Sequence, residues 1–242
     1  MKVLVLRAEA AAARTALALE QLGHEAIRAP LFELMPLDGV NLTQADADLP
    51  FASVIAASHN ALTMLSSENR AALSALPAIV VGTLTGEAAM ALGLKLLGSA
   101  YQTARELAEA LETQAPPTPI LYLAGQDRRP EIEMALRRAG HAFRLVEVYV
   151  ARSVATLPDK ARKRLSAGSV EAVLHYSERS ATTYIDLALR AELLAQALAP
   201  VQLCISGKVA QKLQAAGAKD VHCAAAPEEK ELLGLLDGQG MK

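Results

Sequence analysis

The chain has 242 residues, 52% of them hydrophobic, and a formal net charge of −2 at pH 7. That describes a globular protein with ample core, long enough for one large or two ordinary domains, and the charge excludes a nucleic-acid binder built on electrostatics. Aromatic residues make up 3% and Trp is absent, so stacking platforms for bases or sugars are scarce. The two cysteines, Cys204 and Cys223, sit in apolar β-like runs and read as reduced, buried thiols.

The first residues, Met1-Lys2-Val3-Leu4-Val5-Leu6-Arg7, carry one basic residue, a short apolar run and then an arginine. The run is too short for a signal-peptide core or a membrane span, so it reads as a buried first strand, with cytoplasmic residence as the default. From there, β-branched and apolar runs alternate with alanine- and leucine-rich stretches of helical period, the pattern of an α/β fold with parallel sheets. Strands are expected at 2–7, 25–28, 53–58, 78–82, 94–98, 120–124, 143–152, 171–176, 202–206 and 220–224, giving two five-stranded sheets. Helices are expected at 10–22, 59–66, 84–92, 103–113, 130–139, 158–167, 178–189, 207–216 and 227–237. Gly23, Gly93, Gly140 and Gly217 each follow a helix and precede a strand, and Pro130, Pro158 and Pro227 fall at helix starts. Residues 115–119 form a stiff, proline-rich connector. Two segments, 29–37 and 144–152, are long, extended and partly polar; they can pair with each other as a link between domains.

The order of elements repeats. Leu22-Gly23-His24-Glu25-Ala26 returns as Ala139-Gly140-His141-Ala142-Phe143, Val54–Ser58 is answered by Ala172–Ser177, Val80–Gly82 by Cys204–Gly207, and Thr103–Leu107 by Glu228–Leu232. The copies stay in step apart from one insertion of a few residues. Two like halves favour a cleft between them, where small ligands bind.

Several chemistries lose their main support. No G-x-G-x-x-G follows a strand, and there is no G-x-x-x-x-G-K-[ST], H-E-x-x-H, C-x-x-C or G-x-S-x-G. The histidines are scattered without metal-ligand spacing, and His24 and His141, at equivalent places in the repeat, read as structural. What remains is a set of hydroxyl-bearing turns where strands give way to helices: Ala57-Ser58-His59-Asn60, Gly82-Thr83-Leu84-Thr85, Tyr176-Ser177-Glu178-Arg179 and Ser206-Gly207-Lys208-Val209. Capping the following helix is the simplest role for each Ser or Thr taken singly. Four such turns at the carboxyl ends of parallel strands, two per half, point instead to a polyanion site made mostly of backbone amides.

Taken in order, Val3–Arg7, Leu22-Gly23-His24, Pro30, Ile55–Ala61, Val81–Thr85, Val148-Tyr149, Tyr176-Ser177 and Ile205–Lys208 resemble the uroporphyrinogen-III synthase family over essentially the whole chain. The resemblance implies two flavodoxin-like α/β domains, each with a parallel five-stranded sheet, joined by a two-stranded connector with a cleft between. Residues 1–34 and 152–242 would form one discontinuous domain, 36–150 the other, and the segments near 29–37 and 144–152 the connector. It also implies a lyase of heme biosynthesis, free of cofactor and metal, that closes linear hydroxymethylbilane to uroporphyrinogen III with loss of water and inversion of ring D through a spiro intermediate. As partners it implies the small-molecule substrate alone, no nucleic acid and no membrane, for a monomer open to transient contact with neighbouring enzymes of the pathway.

The family's connector tyrosine falls on Tyr149, a phenol suited to donate to a departing hydroxyl. The family's Gly-x-x-Thr threonine falls on Thr85; its counterpart in the C-terminal half falls on Val209, where the hydroxyl is absent. Because that substrate carries acetate and propionate on every ring, Arg7, Arg128, Arg129, Arg152, Arg179 and Lys208 are expected to bind it, with Ser58, Thr83, Thr85, Ser177, Ser206 and Gly207 from the turns. A non-catalytic two-domain small-ligand binding protein is the competing reading, weakened by the scarcity of aromatic platforms. A flavodoxin-like electron carrier would want aromatic residues around a flavin.

Overall fold

The computed structural model describes residues 1–42, 50–74 and 76–237. Residues 238–242, included in the expected C-terminal domain, lie outside them. The chain divides into two units, Met1–Glu33 with Arg152–Lys242, and Leu34–Ala151.

In chain order the elements begin with β1 (Lys2–Val5), α1 (Glu9–Gln21), β2 (Glu25–Arg28), β3 (Phe32–Pro36) and β4 (Ser53–Ala56). There follow α2 (His59–Thr63), α3 (Ser67–Leu73), β5 (Ala78–Val80), α4 (Thr83–Ala91), α5 (Ala104–Thr113), β6 (Ile120–Gly125), α6 (Glu131–Arg138) and β7 (Phe143–Ser153). The last part holds α7 (Asp159–Ser166), β8 (Ala172–His175), α8 (Glu178–Arg190), α9 (Leu194–Leu198), β9 (Val201–Cys204), α10 (Gly207–Ala215), β10 (Val221–Cys223) and α11 (Glu229–Gly234).

The sheet of the first unit runs β10-β9-β8-β1-β2 with every pairing parallel. Counted along the unit this is the flavodoxin-like order, and strand order reverses between β1 and β8. The sheet of the second unit runs β3-β7-β6-β4-β5. Its β5-β4-β6-β7 pairings are parallel and its reversal lies between β4 and β6. The segment carrying β3 runs antiparallel to β7: Leu37 N–H donates to the Val148 carbonyl at 2.8 Å and Val154 N–H donates to that of Leu31 at 3.0 Å. Helices on both faces require the central strands to be apolar throughout rather than alternating. Val3, Leu4, Val5, Val54, Ile55 and Ile120 to Leu123 are accordingly buried.

Four expectations need correction. Residues 94–98 form no strand, only an isolated bridge from Leu96 to Ala78; glycines at positive φ, Gly93 and Gly98, bracket the run and leave no length for a ladder. The fifth strand of that sheet is β3 instead. The single helix expected at 59–66 ends at Thr63, and Ser66 starts α3 by accepting a hydrogen bond from Asn69 N at 3.2 Å. Cys204 is buried as expected, whereas Cys223, on edge strand β10, is exposed because that strand has a neighbour on one side only.

Candidate active site

Ligands of open parallel sheets bind beyond the carboxyl ends of the strands, at the point where strand order reverses. In the second unit that edge is built around Gly125, the last residue of β6. The β6–β7 register runs Ala124 opposite Glu147 and then Gly125 opposite Tyr149, so β7 carries one extra residue there. Such irregularities re-aim a side chain. Here the Tyr149 ring lies directly on Gly125: a Cβ at that glycine would stand 2.6 Å from Cζ, 2.8 Å from Cε2 and 2.9 Å from the hydroxyl oxygen. The backbone closes the same junction, with Gln126 N–H donating to the Tyr149 carbonyl at 2.8 Å. The Tyr149 ring is half-buried, and its hydroxyl has no hydrogen-bond partner among the described residues.

Arg128 ties this junction together from behind. Its Nε donates to Glu133 at 2.6 Å and its Nη1 to Glu147 at 2.7 Å, with further bonds from Nη1 to the carbonyls of Gly125 (3.2 Å) and Gln126 (3.3 Å). One guanidinium thus faces two carboxylates and braces the loop after β6 against β7. The buried Tyr122 phenol is pushed up to about 12, by burial first and then by the charge of Glu133.

In the first unit the corresponding edge holds Arg7, just past β1, and Tyr176, just past β8. The Arg7 guanidinium lies 4.0 Å above the Tyr176 ring and reaches Glu229 at 2.8 Å.

The hydroxyl turns resolve into different local roles. Ser58 accepts from Asn60 N at 3.3 Å and Ser177 from Ser180 N at 3.1 Å, so both cap their helices. Ser206 is also an N-cap residue, but its side chain makes no capping bond. Against expectation, the cap of α4 is Gly82, at φ +84, a conformation that disfavours a side chain. That leaves Thr83 in the first turn and Thr85 3% exposed. Gly207 and Lys208 are exposed at the start of α10.

Among the remaining cations, Arg129 is exposed and 3.9 Å from Glu131, and Arg152 is exposed on β7. Arg179 is exposed at the start of α8 with its guanidinium 4.7 Å over the Phe32 ring. Arg7 and Arg128 are therefore held by internal acids, while Arg129, Arg152, Arg179 and Lys208 reach solvent. His24 and His141 take structural positions: a His24 ring nitrogen is 3.0 Å from the N-terminal amine, and one of His141 is 2.8 Å from the Leu111 carbonyl. Among the described residues no group of three or more His, Cys, Asp or Glu could hold a metal ion. Sequence reasoning missed Gly125, Glu133, Glu147, Thr15 and Glu229. Of these only Gly125 carried a signal, a glycine closing an apolar strand just before a polar turn.

These features define a two-unit α/β protein of the doubly wound, flavodoxin-like class, with side chains and helix N-termini gathered at the carboxyl edge of each sheet. A family model described as uroporphyrinogen-III synthase HemD matches residues 13–234. The chain belongs to the uroporphyrinogen-III synthase family, and its function is that of a cyclase of heme biosynthesis.

Among solved structures, uroporphyrinogen-III synthetase from Helicobacter pylori 26695 is similar over 99% of this chain and 100% of its own, at 18% identity and a TM-score of 0.58. That likeness supports the fold. A mutant uroporphyrinogen III synthase from the extremely thermophilic bacterium Thermus thermophilus aligns over 99% of this chain and 97% of its own, at 18% identity and a TM-score of 0.48. No curated protein matches the chain in sequence. Among the described residues no helix is long and apolar enough to cross a membrane.

Proposed function

We propose that the chain is a hydro-lyase that closes hydroxymethylbilane to uroporphyrinogen III, acting as a cytoplasmic monomer with Tyr149 as the proton donor. The observation that carries the role of Tyr149 is the phenol seated on Gly125 at the carboxyl edge of its sheet, with a hydroxyl that no described residue engages. A phenol carries its proton at neutral pH, and the phenolate left when it donates offsets the charge of the cation it helps to form. The proton passes to the hydroxyl of the substrate as the carbon–oxygen bond breaks, and water leaves. The resulting azafulvene-like cation is attacked by the substituted carbon of ring D, giving a spiro intermediate; cleavage and recombination invert the ring, and loss of a proton at the last step restores the phenol.

The acetate and propionate groups of the substrate are met by exposed cations, Arg129, Arg152, Arg179 and Lys208, and by the N-termini of α4 and α10. Because the linear substrate can cyclise unaided to the uninverted isomer, the protein acts mainly by holding its ends in one geometry, an effect worth several kcal/mol, roughly 7–11 in the best intramolecular cases. A non-catalytic ligand-binding protein is not favoured.

The test is a coupled assay with hydroxymethylbilane made in situ, separating isomers I and III after oxidation. Isomer III no greater than in the enzyme-free control would end the proposal. Tyr149→Phe is expected to lower the rate about ten-fold or more, as loss of a general acid does; an unchanged rate would reduce Tyr149 to a packing role.

A further inference from the structure

Four side chains from distant parts of the chain meet at the switch point of the first sheet. Arg7 follows β1, Thr15 lies on α1, Tyr176 follows β8 and Glu229 opens α11. A single carboxylate oxygen, Oε1 of Glu229, accepts from Arg7 Nη1 at 2.8 Å, from Thr15 Oγ1 at 2.6 Å and from the Tyr176 hydroxyl at 2.8 Å. Arg7 Nη1 also reaches Thr15 Oγ1 at 3.2 Å, and the guanidinium rests 4.0 Å over the Tyr176 ring. Burial alone would push the Glu229 carboxyl up, but the bonds from Thr15 and Tyr176 and the charge of Arg7 outweigh it and hold the group below its usual range. The carboxylate therefore stays charged.

This arrangement fixes a side chain that would otherwise be mobile. Ordering an arginine costs up to about 2 kcal/mol of rotamer freedom, a cost removed from ligand binding when the protein has already met it on folding. All the contacts of Arg7 use Nη1 or the face of the guanidinium, leaving Nε and Nη2 without a hydrogen-bond partner among the described residues. Those two nitrogens form the side of the fork that accepts a carboxylate through two parallel bonds. The Arg7 side chain is 27% exposed, so that edge is not sealed off.

We propose that Glu229 is a positioning residue for substrate binding, clamping Arg7 against Tyr176 so that its Nε–Nη2 edge is pre-set to take one carboxylate of the polycarboxylate substrate. The inference rests on the function proposed above, because it needs a substrate rich in acetates and propionates. Glu229 itself does not touch substrate; a carboxylate there would repel it. Its neighbours Glu228, Lys230 and Glu231 take no part.

The experiment is steady-state kinetics of isomer III formation at varied hydroxymethylbilane concentration for wild type, Arg7→Met, Glu229→Ala, Glu229→Gln and the double variant Arg7→Met/Glu229→Ala, with a thermal melt of each. Arg7→Met is expected to raise KM roughly ten-fold or more, in line with loss of a charge-assisted pair. Glu229→Ala should raise KM about three- to ten-fold with kcat within about two-fold of wild type, and Glu229→Gln, whose amide oxygen still accepts the three bonds, should fall between. The double variant should have the KM of Arg7→Met, because Glu229 acts through Arg7. A multiplicative double variant, or Glu229 variants that change kcat at wild-type KM, would overturn the inference. Should Glu229→Ala melt too early to assay, the same comparison is made with Glu229→Gln. Wild type forming no isomer III above control would instead defeat the proposed function, whereas an active wild type with Glu229 variants at its KM defeats only the clamp.

Discussion

Gly125→Ala is the sharpest test of the Tyr149 placement, because it leaves the phenol in the chain and changes only the space beneath it. An added methyl would stand 2.6–2.9 Å from two ring carbons and the hydroxyl oxygen of Tyr149, against an ordinary contact beginning near 3.4 Å. The ring must retreat by about 0.5–1 Å. Gly125 does not sit at positive φ, so alanine fits the backbone and the substitution reports on space alone. Overpacking of this kind costs roughly 1–3 kcal/mol of stability, and the half-buried ring can swing outward to relieve part of it. For catalysis a misplacement approaching 1 Å can cost on the order of 100-fold. The expected result is a kcat lower by roughly ten- to 100-fold, a KM close to wild type and a modest fall in melting temperature. The rate of isomer III formation, with the ratio of isomer I to III, reads the first two quantities. If the methyl acts through the phenol, Gly125→Ala/Tyr149→Phe should be no slower than Tyr149→Phe alone. A wild-type kcat in Gly125→Ala, or rate losses that multiply in the double variant, would refute the argument.

Arg128→Gln leaves Glu133 and Glu147 without the cation they share; it should cost about 2 kcal/mol, below the roughly 3–5 seen for broken buried pairs because Arg128 is 20% exposed, and it should lower kcat by loosening the junction under Tyr149. Urea denaturation and the isomer assay check the two effects separately. Ser177→Ala should destabilise by about 1 kcal/mol through loss of the α8 cap, whereas Ser206→Ala should leave the melt unchanged because its hydroxyl caps nothing. His175 is fully buried and pushed down to about 4 by that burial, which the Gln202 hydrogen bond only partly opposes. Its folded value lies below its unfolded 6.5, so the unfolded chain binds the extra proton between pH 6.5 and 4, and stability falls as pH drops through that window by up to about 3 kcal/mol. Urea midpoints from pH 7.5 to 4 should fall less steeply in a folded His175→Gln variant, and parallel profiles would remove His175 as the cause.

What the sequence disclosed and what it concealed follow from how local each feature is. Parallel sheets flanked by helices make strands such as Val3–Val5 and Val54–Ala56 apolar on both faces, a signal readable within a few residues. The segment 94–98 looked like another strand because Leu94, Leu96 and Leu97 are apolar. Yet what makes a strand is a partner over several residues, and this run meets β5 only at Ala78; the fifth strand, β3, joins at the opposite edge, beside β7. The hydroxyl turns were legible because they stand at strand ends that the pattern already marked, whereas Tyr149, inside β7, was singled out by the family resemblance alone. Their supports were not. Glu229 is one acid in the run Glu228-Glu229-Lys230-Glu231, and nothing in that run distinguishes the residue that reaches Arg7 from those that face water.

The turn at Val209 shows the same limit from the other side. In sequence, valine where the family carries a threonine looks like a missing substrate contact. In the fold, Val209 is 1% exposed and packs with Ala181, Cys204 and Leu213 in an apolar cluster. Thr85, in the matching turn of the other unit, is 3% exposed. Neither position presents its side chain to solvent, so a valine at 209 removes no donor from the edge of the sheet. What the two turns still share lies in the backbone: each opens a nine-residue helix whose first N–H groups have no partner within the helix, and such a terminus favours an anion whatever side chain follows. The exposed Lys208 adds its charge at the C-terminal turn alone. The loss of a hydroxyl at 209 is thus compatible with an anion-binding turn, because the groups suited to that role were never carried by that side chain.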